Sequence, residues 1–433
     1  MKLYSTIMMV MASITTFAQS PGSLQTRIDQ QAAQVEARLI EWRRWFHEHP
    51  ELSNREVNTG ARIADILRSL GLEVQHPVAK TGVVALLRGG KPGPVVALRS
   101  DIDGLPITER NSLPFASKVT TTFAGRETGV MHACGHDGHM AILLGVAQVL
   151  SNMKASISGT VKFIFQPAEE GPPAGEEGGA QLMIKEGVLE NPRVDAIFGL
   201  HIQALVPAGQ INYKAGSFMA AVDGLTITVK GRGAHGASPW DSVDPIVLSG
   251  QIVSSLQTIV SRQLDLTKAG AVLTIGTMHS GIRSNIIPET AVMEGTIRTF
   301  DSTMQREMHE RIARTATKVA QSAGGDAEVV IRKTYPAVVN DAKLTAWAGA
   351  SLARAAGAGN VKVTPAVTMA EDFSFFQEKV PGFFFFLGAY PELKPERPPV
   401  HHTPDFMVNE KVLITGVKAL ATLTVDYLES KKK

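Results

Sequence analysis

The sequence predicts an α/β fold: a large domain built on a mixed sheet flanked by helices, with a smaller ferredoxin-like α+β domain inserted into it. Three observations carry that expectation. Short apolar runs bounded by Pro, Gly or charge alternate with helix-like segments in the first half of the chain, as strands and helices alternate in α/β sheets. The middle of the chain changes to the order β-α-β-β-α-β, which fits a compact ferredoxin-like unit. Strand and helix material of the first kind then resumes, so the middle unit reads as an insertion. With 433 residues, 44% of them hydrophobic, there is apolar material for more than one core.

The first twenty residues carry Lys2, an apolar stretch to Val10 and a small-residue zone ending near Ala18, the layout of a cleavable signal peptide over 1–18 and too short for a spanning helix. The product is therefore expected to be secreted or periplasmic, with no membrane attachment after cleavage. The segment "TGARIADILRSLG" (59–71) has helical spacing and closes at Gly71. "VVALRSDID" (95–103), "VKFIFQPAEE" (161–170), "AIFGLH" (196–201) and "GFFFFLG" (382–388) read as buried strands, and "AILLGVAQVL" (141–150) as a helix between them. Three of the four runs end in Asp, Glu or His. Ligands of α/β sheets gather beyond the carboxyl ends of the strands, so Asp101, Asp103, Glu169, Glu170 and His201 are expected to converge.

In the middle, "GLTITVKG" (224–231) alternates like a strand with one wet face, "PIVLSGQIVSSLQTIVSRQL" (245–264) has helical spacing, and "AVLTIGTMHS" and "AVMEGTIRTF" read as a strand pair. A second helix, 303–324, stops at Gly324 and Gly325, and "AEVVIRKTYPAVV" follows as a strand. The expected division is 19–215 with 328–433 for the large domain and 216–327 for the insertion.

The formal net charge is +2 and the basic residues are scattered except for Lys431, Lys432 and Lys433, which offers no stripe for nucleic acid or an anionic membrane. A small polar substrate is the expected partner. Cys134 is the only cysteine, so it forms no internal disulfide and is a buried thiol, an intermolecular link, a nucleophile or a metal ligand. In "HACGHD" it stands two residues from His136, and thiolate and imidazole both suit zinc and similar ions. On its own this also fits a helix-start loop with a buried thiol, with Asp137 capping the helix that begins at Gly138. Glu169 and Glu170 follow Pro167 at a strand end, where neighbouring side chains point apart, so that one can bind a metal and the other reach a water. A hydrolytic site needs both, since an ion acidifies its water and a carboxylate takes the proton. Glu176 and Glu177 read instead as a solvated acidic turn.

The set "HEHPELSNRE", "LRSDIDGLPI", "HACGHDGHMA", "FIFQPAEEG", "GLH", "GAHGASP", "SNIIPETA", "AEDFSFF" and "HHTPDF" resembles the aminoacylase and carboxypeptidase clan of metallohydrolases. It is most similar to the amidohydrolase branch that includes hippurate hydrolases and enzymes cleaving indole-acetyl amino acids, in order from about residue 38 to the end. The resemblance implies two divalent metal ions per subunit, held by Cys134, His136, Glu170, His201 and His402, with His401 a weaker ligand candidate and His132 and His139 supporting or packing residues. It implies Glu169 as the general base, and Asp101 and Asp103 as groups orienting ligands. It further implies a homodimer formed through the inserted domain, with His235 stabilising the oxyanion, commonly in the partner's site, Asn285 as a second polar contact, and Arg283 pairing with a substrate carboxylate or standing free in a loop. Zinc, manganese and cobalt remain open, with the thiolate favouring zinc.

The expected function is hydrolysis of the amide bond of N-acyl amino acids. A dipeptidase or carboxypeptidase of the same clan is the alternative, and a metal-dependent binding protein without turnover, which would not need Glu169, is the alternative of another class. "GRGAHG" (231–236) obeys a dinucleotide-loop pattern, but two prolines follow before any helix and no acidic residue stands at the required distance. No G-x-S-x-G elbow occurs. Trp240, where many relatives have histidine, and the extension "PPAGEEGG" depart from the usual pattern and are expected at the edge of the site.

Overall fold

The computed structural model describes residues 23–392 and 398–431; the expected signal peptide and Lys432 and Lys433 lie outside them. The large domain is centred on an eight-stranded sheet in the order Glu73–Val78, Gly82–Arg88, Ser158–Gln166, Lys91–Asp101, Ala196–Gln203, Gly382–Gly388, Ile211–Tyr213, Val361–Val363. The four central strands, Ser158–Gln166, Lys91–Asp101, Ala196–Gln203 and Gly382–Gly388, are mutually parallel. Antiparallel neighbours flank them, so the sheet is mixed, as expected. Because the central strands run the same way, their carboxyl ends lie along one edge.

Burial on both faces explains why these strands read as continuous apolar runs. One face packs on the long helices Leu24–Glu48, His136–Asn152 and Leu413–Ser430, the other on the short helices Gly179–Lys185 and Phe373–Gln377. The helix His136–Asn152 is buried almost all round, which a helix tolerates only in the centre of a large core. A Cβ added at its Gly145 would sit 2.4 Å from Leu39 and 2.8 Å from Val417, so the glycine sets how closely the three helices approach. This helix starts at His136 behind Gly135, whose φ is +103°, rather than at Gly138. Asp137 is therefore not its cap. The carboxylate lies inside the first turn, 2.8 Å from both Arg43 Nε and His47 Nδ1, and ties the helix to Leu24–Glu48.

The chain leaves the large sheet through Gly216–Met219 and returns through Val338–Asn340, which pair with each other. Between them stands a four-stranded antiparallel sheet, ordered Ala271–Ser280, Thr290–Thr299, Ala221–Lys230, Asp326–Tyr335, covered by the helices Pro245–Thr258 and Ser302–Ser322 around their own core. Its last strand runs past the boundary expected at residue 327, because pairing with Val222–Lys230 continues to Tyr335. Among the described residues no helix is long and apolar enough to cross a membrane.

Candidate metal centre

The parallel strand ends deliver a compact set of donors. Asp101 closes one strand, with Asp103 two residues beyond it; Gln166 closes the next and leads into the turn Pro167-Ala168-Glu169-Glu170; His201 sits near the end of a third. Gly135, in the left-handed region, lets Cys134 and His136 turn inward together. His402, also at positive φ (+60°), arrives from the loop before the last helix. Two triads result, Cys134 with His136 and His201, and Cys134 with Glu170 and His402, and within each the donor atoms lie no more than 4.8 Å apart. Cys134 is common to both. Its Sγ is 3.3 Å from His201 Nε2 and 3.3 Å from His402 Nε2, and the latter is 3.0 Å from Glu170 Oε1.

Hydrogen bonds on the far side of each ring fix which nitrogen faces the centre. His136 Nδ1 donates to the Asp103 carbonyl (2.8 Å), and His201 Nδ1 to the Ile202 carbonyl (2.6 Å), so both Nε2 atoms face the centre, where a neutral ring would offer its lone pair. His139 has neither nitrogen free: Nδ1 bonds Asp101 (2.6 Å) and Nε2 accepts the Ile202 N–H (2.8 Å). Both bonds hold its ring in place beside Asp101 and His136, whose donor atoms lie within 4.8 Å of its own. The neighbouring histidines also separate, since His401 Nε2 accepts the Ala204 N–H at 3.2 Å and its Nδ1 stays 3.8 Å from the sulfur. His132 is fully enclosed, and burial lowers its pKa to about 4.

The donor set fits a divalent cation. His136 Nε2 is buried with no hydrogen-bond partner among the described residues. A thiolate and an imidazole bound tetrahedrally to one zinc at about 2.3 and 2.0 Å stand about 3.5 Å apart, close to the observed sulfur-to-nitrogen spacings. The charge balance agrees. Burial, followed by the Glu170 and Glu169 carboxylates, pushes the Cys134 thiol well up, and burial followed by Glu371 and Glu170 pushes Glu169 well up. Burial opposes charge on His136, yet Asp101 and Asp103 carry its pKa up to about 10. Such a surplus of negative charge is what a divalent cation offsets, and its field reverses the thiol's preference for the protonated form.

Glu169 belongs to neither of the two triads that contain Cys134, though its carboxylate also lies within 4.8 Å of donors of His136 and Glu170, and of Glu371 and Asp372. One carboxylate oxygen accepts the Asp372 N–H at 3.4 Å and the other lies 4.0 Å from His136 Nε2. Behind it the fully buried Arg99 joins the strand ends by ion pairs to Asp101 (2.9 Å), Glu371 (3.1 Å) and Asp372 (2.7 Å) and a bond to Gln166 (2.8 Å). Asp103 reaches both halves of the centre, 3.2 Å from His136 Nδ1 and 3.0 Å from the Glu170 N–H.

Residues 97–426 match the family described as Peptidase family M20/M25/M40. The chain belongs to that family. It is 41% identical to the N-acetylcysteine deacetylase of Bacillus subtilis, over 91% of this chain and 98% of that one. Thermostable carboxypeptidase 1 of Saccharolobus solfataricus is 40% identical over 93% of this chain and 99% of its own. Among solved structures, the Bacillus subtilis YXEP protein, described as a dinuclear metal binding peptidase of the M20 family, superposes with a TM-score of 0.77 at 38% identity, covering 92% of this chain and 99% of that one.

Within this M20 chain the centre opens into a cavity of about 320 Å³ lined by Cys134, Glu169, Glu170, His201, His401 and His402 together with Gln203, Met219, Val222, Arg298, Tyr335 and Met369. His235 and Asn285 are not in it. They line a separate open cleft on the inserted domain, with His279. Arg283 is exposed on the adjoining loop. Trp240 is 76% exposed beside His235 and likewise stands outside the metal cavity of its own chain. The acidic turn splits. Glu177 is a surface partner of Lys185, whereas Glu176 is drawn to Arg55, Lys80 and Asn54 and pins the extended loop.

Arg298 and Tyr335 line the cavity without any sequence signal that points to them. Arg298 is half-buried, so burial lowers its pKa, and it has no ion-pair partner among the described residues. Its strand, Thr290–Thr299, alternates like any strand with one wet face, so nothing in the local pattern distinguishes Arg298 from a solvated arginine. Its place at the site comes from sheet pairing, which sets Arg298 opposite Val222, just after the chain enters the insertion.

Proposed function

We propose that this chain is an amidohydrolase that uses two divalent metal ions to remove the acyl group from the amino group of an amino acid. The arrangement of two ligand triads sharing Cys134, with an unliganded carboxylate beside them, carries this reading. Cys134, His136 and His201 would hold one ion, and Cys134, Glu170 and His402 the other. When bound, the ions supply Lewis acidity that polarises the amide carbonyl and acidifies the attacking water. Glu169 takes the proton from that water and delivers it to the leaving nitrogen, which its place outside both triads leaves it free to do. Arg298 receives the carboxylate of the amino acid, as a cavity-lining cation with no ion-pair partner among the described residues. Thiolate ligation favours zinc, and a mixed oxygen, nitrogen and sulfur set also accommodates manganese or cobalt.

No donor of the inserted domain other than Arg298 and Tyr335 lines the cavity, while His235 and Asn285 are presented outward. That division supports a homodimer in which the partner's copies of these residues complete the oxyanion site. The N-terminal segment supports export and removal of residues 1–18. N-terminal sequencing of the protein recovered from the producing cells tests this.

The deciding experiment measures turnover of acetyl-, benzoyl- and indole-acetyl amino acids and of free dipeptides, before and after chelation and metal return. Chelation should abolish activity and divalent metal restore it. Glu169→Gln should keep its metal and lose nearly all turnover; full activity would remove Glu169 as the base. Similarity to a carboxypeptidase favours a second reading, cleavage of peptides at the C-terminus, which predicts that dipeptides outrun acyl amino acids in the same assay.

A further inference from the structure

Tyr335 ends the last strand of the inserted domain, yet its side chain reaches the other domain. Its Oη donates a 2.7 Å hydrogen bond to the main-chain carbonyl of Glu169, and its ring meets Phe375 edge to face at 6.0 Å. A β-bulge aims it there. Val222 pairs with Tyr335 but Asp223 pairs with Lys333, so Thr334 is an extra residue. Up to that point the alternation places Ala327, Val329 and Ile331 against the core of the inserted domain. The inserted residue breaks the alternation and turns the next side chain the other way, a common use of bulges beside functional sites. Tyr335 consequently forms the wall between the metal cavity and a second cavity of about 400 Å³ behind the Glu169 turn, lined by Ala168, Pro172 and Phe375.

The turn it touches needs holding. Ala168 has φ +54°, a conformation that a residue with a Cβ disfavours and keeps only when its surroundings impose it. Three of the imposed bonds come from the large domain. Glu56 accepts the Ala168 N–H (2.9 Å), Asp103 accepts the Glu170 N–H (3.0 Å), and the Asp372 N–H reaches the Glu169 carboxylate (3.4 Å). Among the described residues, Tyr335 supplies the one hydrogen bond to this turn from the inserted domain.

We propose that Tyr335 is a positioning residue that makes the direction of the Glu169 carboxylate depend on where the inserted domain stands. The peptide carbonyl of Glu169 is two bonds from its own Cβ, so a rotation of that peptide swings the carboxylate relative to the ligand triads. While the phenol holds the carbonyl, the carboxylate stays beside His136. If the inserted domain swings away, the hold is lost and the turn relaxes about Ala168. This rests on Glu169 being the base.

Tyr335→Phe removes one hydroxyl and keeps the ring against Phe375. In the full-length, metal-loaded protein with N-acetyl-L-methionine as substrate, kcat should fall about tenfold, since a small misplacement of a reacting group is costly, while KM stays within about twofold. Metal content and Tm should be unchanged. Hydrogen exchange of the Ala168 and Glu170 amides should become faster. Unchanged kcat and unchanged exchange would overturn the proposal, as would a raised KM with kcat intact, which marks a substrate contact instead. If the wild-type protein cleaves no acyl amino acid, the assignment of Glu169 falls, and slow, unaltered exchange in the variant still separately refutes the hold by Tyr335.

Discussion

Replacing Arg298 by leucine tests whether the metal cavity reads a substrate carboxylate. The guanidinium is half-buried, lines the same cavity as Glu169 and His402, and has no ion-pair partner among the described residues. A bidentate bond between guanidinium and carboxylate in such a setting contributes about 1.5–3 kcal/mol, or roughly 10- to 150-fold at about 1.4 kcal/mol per decade. Leucine keeps much of the apolar stem, so the loss should appear as charge recognition rather than as packing. The assay compares kcat and KM for an acetyl amino acid and for its methyl ester. The variant should lose 10- to 150-fold in kcat/KM on the free acid, by the same estimate, mostly through KM, and little on the ester. An equal loss on both substrates, or a KM within about twofold of wild type on the acid, would refute the assignment.

His235→Ala should lower kcat by about 10²–10³ if its imidazole serves an oxyanion; mixing it with Glu169→Gln protein should recover activity through hybrid dimers if the residue acts in the partner's site, and recover none if it acts in its own. Asp137→Asn breaks a fully buried ion pair with Arg43 and a bond to His47 and should cost about 3–5 kcal/mol at neutral pH, read as a fall in Tm. Arg43 and His47 outweigh burial and hold the Asp137 carboxyl far below the usual range. Its contribution is therefore present above the unfolded pKa of about 3.9 and fades as pH falls further, so the stabilities of wild type and variant should converge in acid. A gap that widens in acid would contradict the sign. Gly145→Val should destabilise by about 1–3 kcal/mol through overpacking against Leu39 and Val417, with metal content per folded chain unchanged.

The architecture was legible because its signals were local. Strands buried on both faces appear as unbroken apolar runs, and three of them end in the acids and histidine that the parallel sheet then gathers. Of the five expected ligands, Glu170 and His201 come from these strand ends, and Cys134, His136 and His402 reach them from the Gly135 loop and the loop before the last helix. Spacing could not separate His401 from His402, because the difference is one long-range bond to the Ala204 N–H and a backbone in the left-handed region. The start of the central helix is hidden for a similar reason: Gly135 at positive φ precedes it, and the partners that draw Asp137 inward lie about ninety residues away in the sequence. Arg298 and Tyr335 were invisible since both belong to strands of ordinary alternation. Their roles come from domain placement and, for Tyr335, from one bulge.

Metal stoichiometry in purified protein tests the central claim, that Cys134 would belong to both ligand sets of a two-metal centre. Elemental analysis should find two divalent ions per chain in wild type, one in His201→Ala, and none in Cys134→Ala with the protein still folded by circular dichroism. Two ions retained by Cys134→Ala, or one at most in fully active wild type, would contradict it.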